Sequence, residues 1–210
     1  MSSGIHYLQI SDDRKQSPLR RKCIESVKAL VRDGIDTYEM VSYRWEPDHF
    51  KRVRTSEYIR FEKAKTISNL CYVDTDCFVA KPCKLQEGKP SFAEYSFNDS
   101  DPGVPDIYYF YVNGCNEYFK KHFANLVNPK NAYSIDIQVL RSLTNFNMIP
   151  SSSYVHCYTT MNYLVERQNE PVATYQDALE LATLKKHVEL MVIAMKTFEE
   201  SRNKDGRIRQ

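Results

Sequence analysis

Leu70-Cys71-Tyr72-Val73-Asp74-Thr75-Asp76-Cys77-Phe78-Val79 decides how this chain is read. A short apolar run ends in two carboxylates one residue apart. Successive side chains on a strand point to opposite faces, so Asp74 and Asp76 are predicted to point the same way. At the break after a strand, such a pair can reach a hard divalent cation. Such a cation keeps positions open for water and phosphate oxygens, so one or two carboxylates suffice. Two like charges this close are costly without a cation beside them. An acidic turn after a buried strand is the plainer alternative.

Upstream, Ser56-Glu57-Tyr58-Ile59-Arg60-Phe61-Glu62 reads as the start of a helix with Ser56 as N-cap, although the Glu is at the wrong offset for a capping box. Tyr58, Phe61, Ala64, Lys65 and Ile67 or Ser68 give it a partly apolar stripe. Gly4 to Ile10 is a predicted first strand. A polar loop follows, then Ser17 as N-cap, Pro18 in the first helical position and a helix over 19–32 closed by Asp33-Gly34. Thr37 to Ser42 is a second strand. This order predicts an α/β sheet that begins parallel. Right-handed crossovers then bring the ends of the first and third strands to one edge, where ligands bind in such folds.

Further along, composition shifts at 86–106 to Gly, Pro, Ser, Asn and Asp, with a short strand at 91–95 and a polar loop at 98–105 long enough to act as a lid. A tyrosine-rich strand is predicted at 107–113, helices at 116–126 and 136–143, and an extended segment ending at 154–158. A long helix over 175–202 carries Leu181, Leu184, Val188, Met191, Met195 and Phe198 at heptad-like spacing.

The string from Ser56 through Asp76 resembles the sugar-binding region of DxD glycosyltransferases of the GT-A fold, whose form is Ser-Asp-x-x-Arg-(Tyr/Phe)-x, a helix, then Gly-Gly-x-Tyr-x-Asp-x-Asp. Ile5-His6-Tyr7 is similar to the first-strand Ile-His-x of that group, so the likeness covers roughly residues 4–80. Three departures bear on the donor more than on the fold. Glu57 stands for Asp, Ser68-Asn69 for Gly-Gly, and Gln9-Ile10-Ser11 where a Trp often follows the first strand. Compactness and a tyrosine-rich second half also resemble the capsid-modifying glycosyltransferase domains of large algal viruses.

The resemblance implies a Rossmann-like, mostly parallel sheet flanked by helices over 1–170. A C-terminal helical extension at 171–210 is expected to pack on the same domain, with further domains expected beyond it. It implies a metal-dependent transfer, with retention mildly favoured, of a hexosyl or deoxyhexosyl group from a UDP-sugar to a glycan or glycoprotein. Asp74, Asp76 and His156 would hold Mn2+ or Mg2+, the neutral imidazole suiting a manganese-like ion. Gln9, Ile10, Ser11, Glu57, Arg60, Asp74 and Thr75 would meet the donor, with Tyr7 or Tyr43 stacking on its base. Arg60 would grip oxygens through its planar fork. Asp136, in Ser134-Ile135-Asp136-Ile137-Gln138, resembles the Asp-x-Gln of related enzymes. It shares the expected catalytic role with Arg60, yet an acid near a helix start is also a routine dipole partner.

Composition narrows the alternatives. Net charge is +2 with both signs interspersed, and Arg14, Lys15, Arg20, Arg21 and Lys22 form the densest basic patch, so no nucleic-acid partner is expected. Cysteines 23, 71, 77, 83, 115 and 157 lack Cys-x-x-Cys spacing, which speaks against a zinc site and for reduced thiols in the cytoplasm, the host's if the protein is viral. No apolar run approaches about 18 residues, so no membrane span is expected. A haloacid-dehalogenase-type phosphatase also uses Asp-x-Asp, but it needs Thr or Val where Phe78 stands, and the motif normally follows the first strand. A non-catalytic nucleotide-sugar or partner-binding module, presenting the 175–202 helix, is the rival from another class.

Overall fold

A computed structural model describes residues 4–14, 16, 18–82, 88–94, 103–124, 137–150 and 153–156. The chain divides into two compact units, and each is described by itself. The first comprises 1–16, 31–75 and 83–150, and the second 17–30, 76–82 and 151–210. The expected extension at 171–210, the helix at 175–202 and Asp136 lie outside the described residues.

The first unit is built on a six-stranded sheet of β1 (His6–Asp12), β2 (Thr37–Tyr43), β3 (Leu70–Val73), β5 (Ser91–Glu94), β6 (Pro105–Tyr111) and β7 (Asn147–Met148), in the order β2-β1-β3-β6-β5-β7. Strand β1 pairs in parallel with both β2 and β3, and β5 with β7. Strand β6 runs antiparallel to both its neighbours, β3 and β5. The sheet is therefore mixed and mostly parallel, as expected. Because β2 and β3 lie on opposite sides of β1, the chain reverses direction across the sheet at β1. The carboxyl ends of β1 and β3 flank that reversal, the position at which open α/β sheets bind ligands.

One face of this sheet carries Leu8, Ile10, Leu70, Tyr72, Phe92 and Phe110. Against it pack Phe61 and Ala64 of α2 (His49–Ala64), Phe119 of α3 (Asn116–His122), Phe123 just beyond it, Leu140 of α4 (Ile137–Ser142) and Leu143. Phe61 centres the cluster, with its ring 4.4 Å from Phe123 and 5.9 Å from Phe110, both stacked. Aromatic pairs of this kind add about 0.5–1.5 kcal/mol each to the burial of their area. Helix α2 begins at His49, not at the expected Ser56. Asp48 caps it, its Oδ1 accepting from Lys51 N at 3.2 Å. Its buried stripe is Glu57, Arg60, Phe61 and Ala64, while Tyr58 of the expected stripe is exposed.

The start of β1 is locked locally. Gly4 passes so close to the Ile35 carbonyl that a Cβ there would lie 1.6 Å from its oxygen, so only glycine fits. Asp36, its carboxylate fully covered, accepts from Ile5 N at 2.8 Å and from Arg32 N, Nε and Nη2 at 2.8–2.9 Å.

The second unit contains α1 (Pro18–Lys28) and a two-stranded antiparallel ribbon of β4 (Cys77–Val79) and β8 (Tyr154–His156). The expected helix over 19–32 stops at Lys28. Cys23, Ile24, Ser26 and Val27 give α1 its buried face. Ser26 Oγ donates to Cys23 O at 2.7 Å and accepts from Val79 N at 3.0 Å, pinning helix to ribbon. The ribbon register sets Cys77 opposite His156 and Val79 opposite Tyr154. Cys23, Cys71 and Cys77 are buried, and Cys115 is partly buried.

Candidate metal and donor site

Asp74 is the first residue after β3, and the first unit holds it from several directions. Its N–H donates to Tyr108 O at 2.7 Å and its carbonyl accepts from Gln9 Nε2 at 3.4 Å. Gln9 is wholly buried, and its Oε1 accepts from the Tyr38 hydroxyl at 3.0 Å. The Asp74 carboxylate accepts from the Tyr72 hydroxyl at Oδ1, and Arg60 Nη2 stands 3.4 Å from the same oxygen.

The Arg60 guanidinium is buried and lies over the Tyr72 ring, 4.4 Å from its centre. Its Nη1 donates to Ile107 O at 3.0 Å and its Nη2 to Ser56 Oγ at 2.9 Å. Burial works against the charge, but Asp74, Tyr72, Glu57 and Asp106 outweigh it and hold Arg60 protonated above its ordinary range. Burial pushes the Tyr72 phenol well above its usual value despite Arg60, so it remains a donor. Ser56, expected as an N-cap, therefore sits inside α2 as an acceptor for Arg60.

In the second unit, Asp76 stands just before β4 and His156 closes β8. His156 Nε2 is 3.6 Å from Asp76 Oδ1, beyond hydrogen-bond reach. Burial raises the Asp76 carboxyl, while the facing His156 and the Arg20 charge pull it further the other way. The net direction is below the ordinary carboxylate value, so the group is an anion near neutral pH. Two donors each about 2.0–2.2 Å from one ion lie roughly 3–3.6 Å apart. The Asp76–His156 spacing is at the wide end of that range.

The other expected site residues divide by surroundings. Ser11 is buried at the carboxyl end of β1, and its Oγ accepts from Gln16 Nε2 at 2.7 Å. The Ile10 side chain is in the apolar core. Glu57 and Thr75 are buried. Tyr7 is buried, and Tyr43 is partly buried and packed against the core. Asp106 is buried at the start of β6, its Oδ1 accepting from Ile107 N at 2.6 Å.

Sequence reasoning passed over Trp45, two residues beyond β2 and the only tryptophan in the chain. It is an exposed large aromatic, its backbone N–H donating to Asp13 Oδ1 at 2.8 Å. The Arg14 and Arg52 guanidinium carbons lie 5.1 and 5.9 Å from its ring. Arg14 itself grips Asp12, Nε to Oδ1 at 3.0 Å and Nη2 to Oδ2 at 2.8 Å. The signal available was a lone Trp just past a strand that ends on the same edge of the sheet as β1.

No family model matches the chain, and no curated protein matches it. Among solved structures it is similar to one titled "crystal structure of a glycosyltransferase involved in the glycosylation of the major capsid of PBCV-1". That likeness has a TM-score of 0.48 and 15% identity, and covers 73% of this chain and 94% of that one. It is a likeness in outline only, and the chemistry of this chain has to be read from its own side chains. No helix among the described residues is long and apolar enough to cross a membrane.

Proposed function

We propose that this chain is a metal-dependent glycosyltransferase of the DxD, GT-A type that moves a sugar from a UDP-sugar to a glycan or glycoprotein. The observation that carries the reading is the donor set. Asp76 and His156 face one another at 3.6 Å, and Asp74 precedes Asp76 by two residues, just past the end of β3. Two carboxylates and an imidazole suit Mn2+, or Mg2+ with more water in its shell.

Asp76 and His156 are assigned as direct ligands, and Asp74 as a contact to the ion, its waters or the ribose. When bound, the ion supplies Lewis-acid stabilisation of the departing diphosphate. The side chains orient the donor. Gln9 and Ser11 line the carboxyl end of β1, and Glu57 accepts from sugar hydroxyls. Arg60 acts by fixing Asp74 and keeping a permanent positive charge beside it, since its donors are already directed at Ser56 and Ile107. Trp45 supplies the exposed ring for stacking at that edge. The role of Asp136 as a base, Thr75 in donor binding, folding of the 98–105 loop over the donor, and retention of configuration belong to the same proposal.

Thermal melting against UDP-, GDP-, CMP- and TDP-sugars, each with and without Mn2+, tests it, because a ligand that binds only the folded chain raises the melting temperature. The expected result is a manganese-dependent rise with the UDP-sugars that Asp76→Ala abolishes. No rise with any nucleotide sugar, or a rise that Asp76→Ala leaves intact, overturns the assignment.

A further inference from the structure

Tyr72 points into the apolar core, yet its hydroxyl does not act as a core group. The ring is sandwiched between Phe110, at 5.3 Å, and the Arg60 guanidinium, at 4.4 Å, so it has little freedom to swing. At its tip the hydroxyl donates to Asp74 Oδ1, the oxygen that Arg60 Nη2 also approaches. Ser56 Oγ and Ile107 O fix the guanidinium in turn. The Asp74 backbone is anchored on both sides, N–H to Tyr108 O and carbonyl to Gln9 Nε2. A core that needed only volume here would be filled equally by phenylalanine, whose ring matches that of tyrosine. A hydroxyl carried through the core to a carboxylate at the strand end is therefore a feature in its own right.

We propose that Tyr72 is a positioning residue: with Arg60 it engages Oδ1 of Asp74 and so fixes the plane in which that carboxylate meets ion, water or ribose. This deepens the metal-dependent reading above and rests on it. A strand residue and the acid just past the strand's end thereby form a unit, Asp74 making the contact and Tyr72 setting its angle. Partners that orient a ligand in this way typically control metal affinity by about 10–100-fold without touching the ion.

The test uses the full 210-residue chain and two readouts, so that the tether and the metal site can fail separately. Tyr72→Phe keeps the ring beneath Arg60 and removes only the hydroxyl. Melting temperatures of wild type, Tyr72→Phe, Asp74→Ala and the double variant, all without metal, form a cycle on the contact. The tether predicts non-additivity, with Tyr72→Phe costing much less once Asp74 is gone, and strict additivity overturns it. Titration of free Mn2+, followed by its electron paramagnetic resonance signal, then reads the function. The expected result is affinity at least tenfold weaker in Tyr72→Phe and no binding in Asp76→Ala. Wild-type affinity in Tyr72→Phe, alongside loss in Asp76→Ala, overturns the positioning role. If wild type itself leaves the Mn2+ signal unchanged, the metal reading falls, while a non-additive cycle would still uphold the tether.

Discussion

Asp74 is held by the backbone of Tyr108, the side chains of Gln9, Tyr72 and Arg60, and a sheet with neighbours on both sides. Asp76, two residues further along, leads into a ribbon of two three-residue strands, pinned to α1 through the Ser26 hydroxyl. The first carboxylate is over-determined, while the second faces an imidazole and the Arg20 charge. Neighbouring acids in a motif can thus be given unlike mechanical settings, one stiff and one dependent on a small ribbon. The stiff setting suits a group whose angle matters. The other suits a ligand that an ion can pull into place.

The largest effect expected from breaking this contrast is at Arg60. Arg60→Met keeps bulk over the Tyr72 ring but leaves the Asp74 carboxylate, the Ile107 carbonyl and nearby Glu57 and Asp106 without the cation. Losing one partner of a buried pair costs about 3–5 kcal/mol, and urea unfolding should show a loss of that size. A loss below about 1 kcal/mol would mean that Arg60 is not what stiffens this corner. Arg60→Lys should fall between, because the charge survives and the fork does not.

Ser26→Ala probes the other side of the contrast. It strips the buried Val79 N–H of its acceptor, which costs about 1–3 kcal/mol. Because the ribbon is small, the loss should appear as faster hydrogen exchange at the amides of 77–80, with the β1 and β3 amides little changed. Uniform acceleration across both units would show that they open together and would erase the distinction drawn between the two acids.

What was legible in the sequence follows the same line. Strand β3 was readable to the residue, because a four-residue apolar run ended by acids leaves little choice. The parallel start of the sheet followed from element order. The start of α2 was not readable, since a basic stretch, Lys51 to Arg54, hides the period there and Ser56 competes with Asp48 as a cap. Burial of Arg60 was hidden for a related reason. Glu57 and Arg60 share a helix stripe with Phe61 and Ala64, and hydropathy assigns charged residues to solvent. The carbonyl of Ile107, the ring of Tyr72 and the carboxylate of Asp74, all on other elements, help make that burial tolerable. Strand β4 was missed because three residues after an acidic turn carry no period, and its partner is about eighty residues away. His156 was nominated by family likeness alone, and it is the β4–β8 register that sets it opposite Cys77, beside Asp76.

The smallest predicted effect concerns a carboxylate in neither setting, and it calibrates the others. Asp36 is covered, which alone would raise its carboxyl, but hydrogen bonds from Arg32 and from the Ile5 and Arg32 amides, with the Arg32 charge, bring it down from 3.8 to about 2. A depressed folded-state value means that the ionised form is favoured by folding. The stabilisation is therefore fully present above about pH 4 and is lost as pH falls through about 2. A tenfold change in proton affinity corresponds to about 1.36 kcal/mol, and Arg32 is half exposed and screened by water, so about 1–2 kcal/mol is a fair size. Asp36→Asn should remove that acid-labile portion, so that its stability falls less steeply than wild type between pH 4 and 2. Parallel curves would show that the Gly4–Ile35 approach, not the ion pair, closes the start of the sheet. In that case geometry alone holds a buried acid here, and the case for charge as the stiffening element at Asp74 would weaken with it.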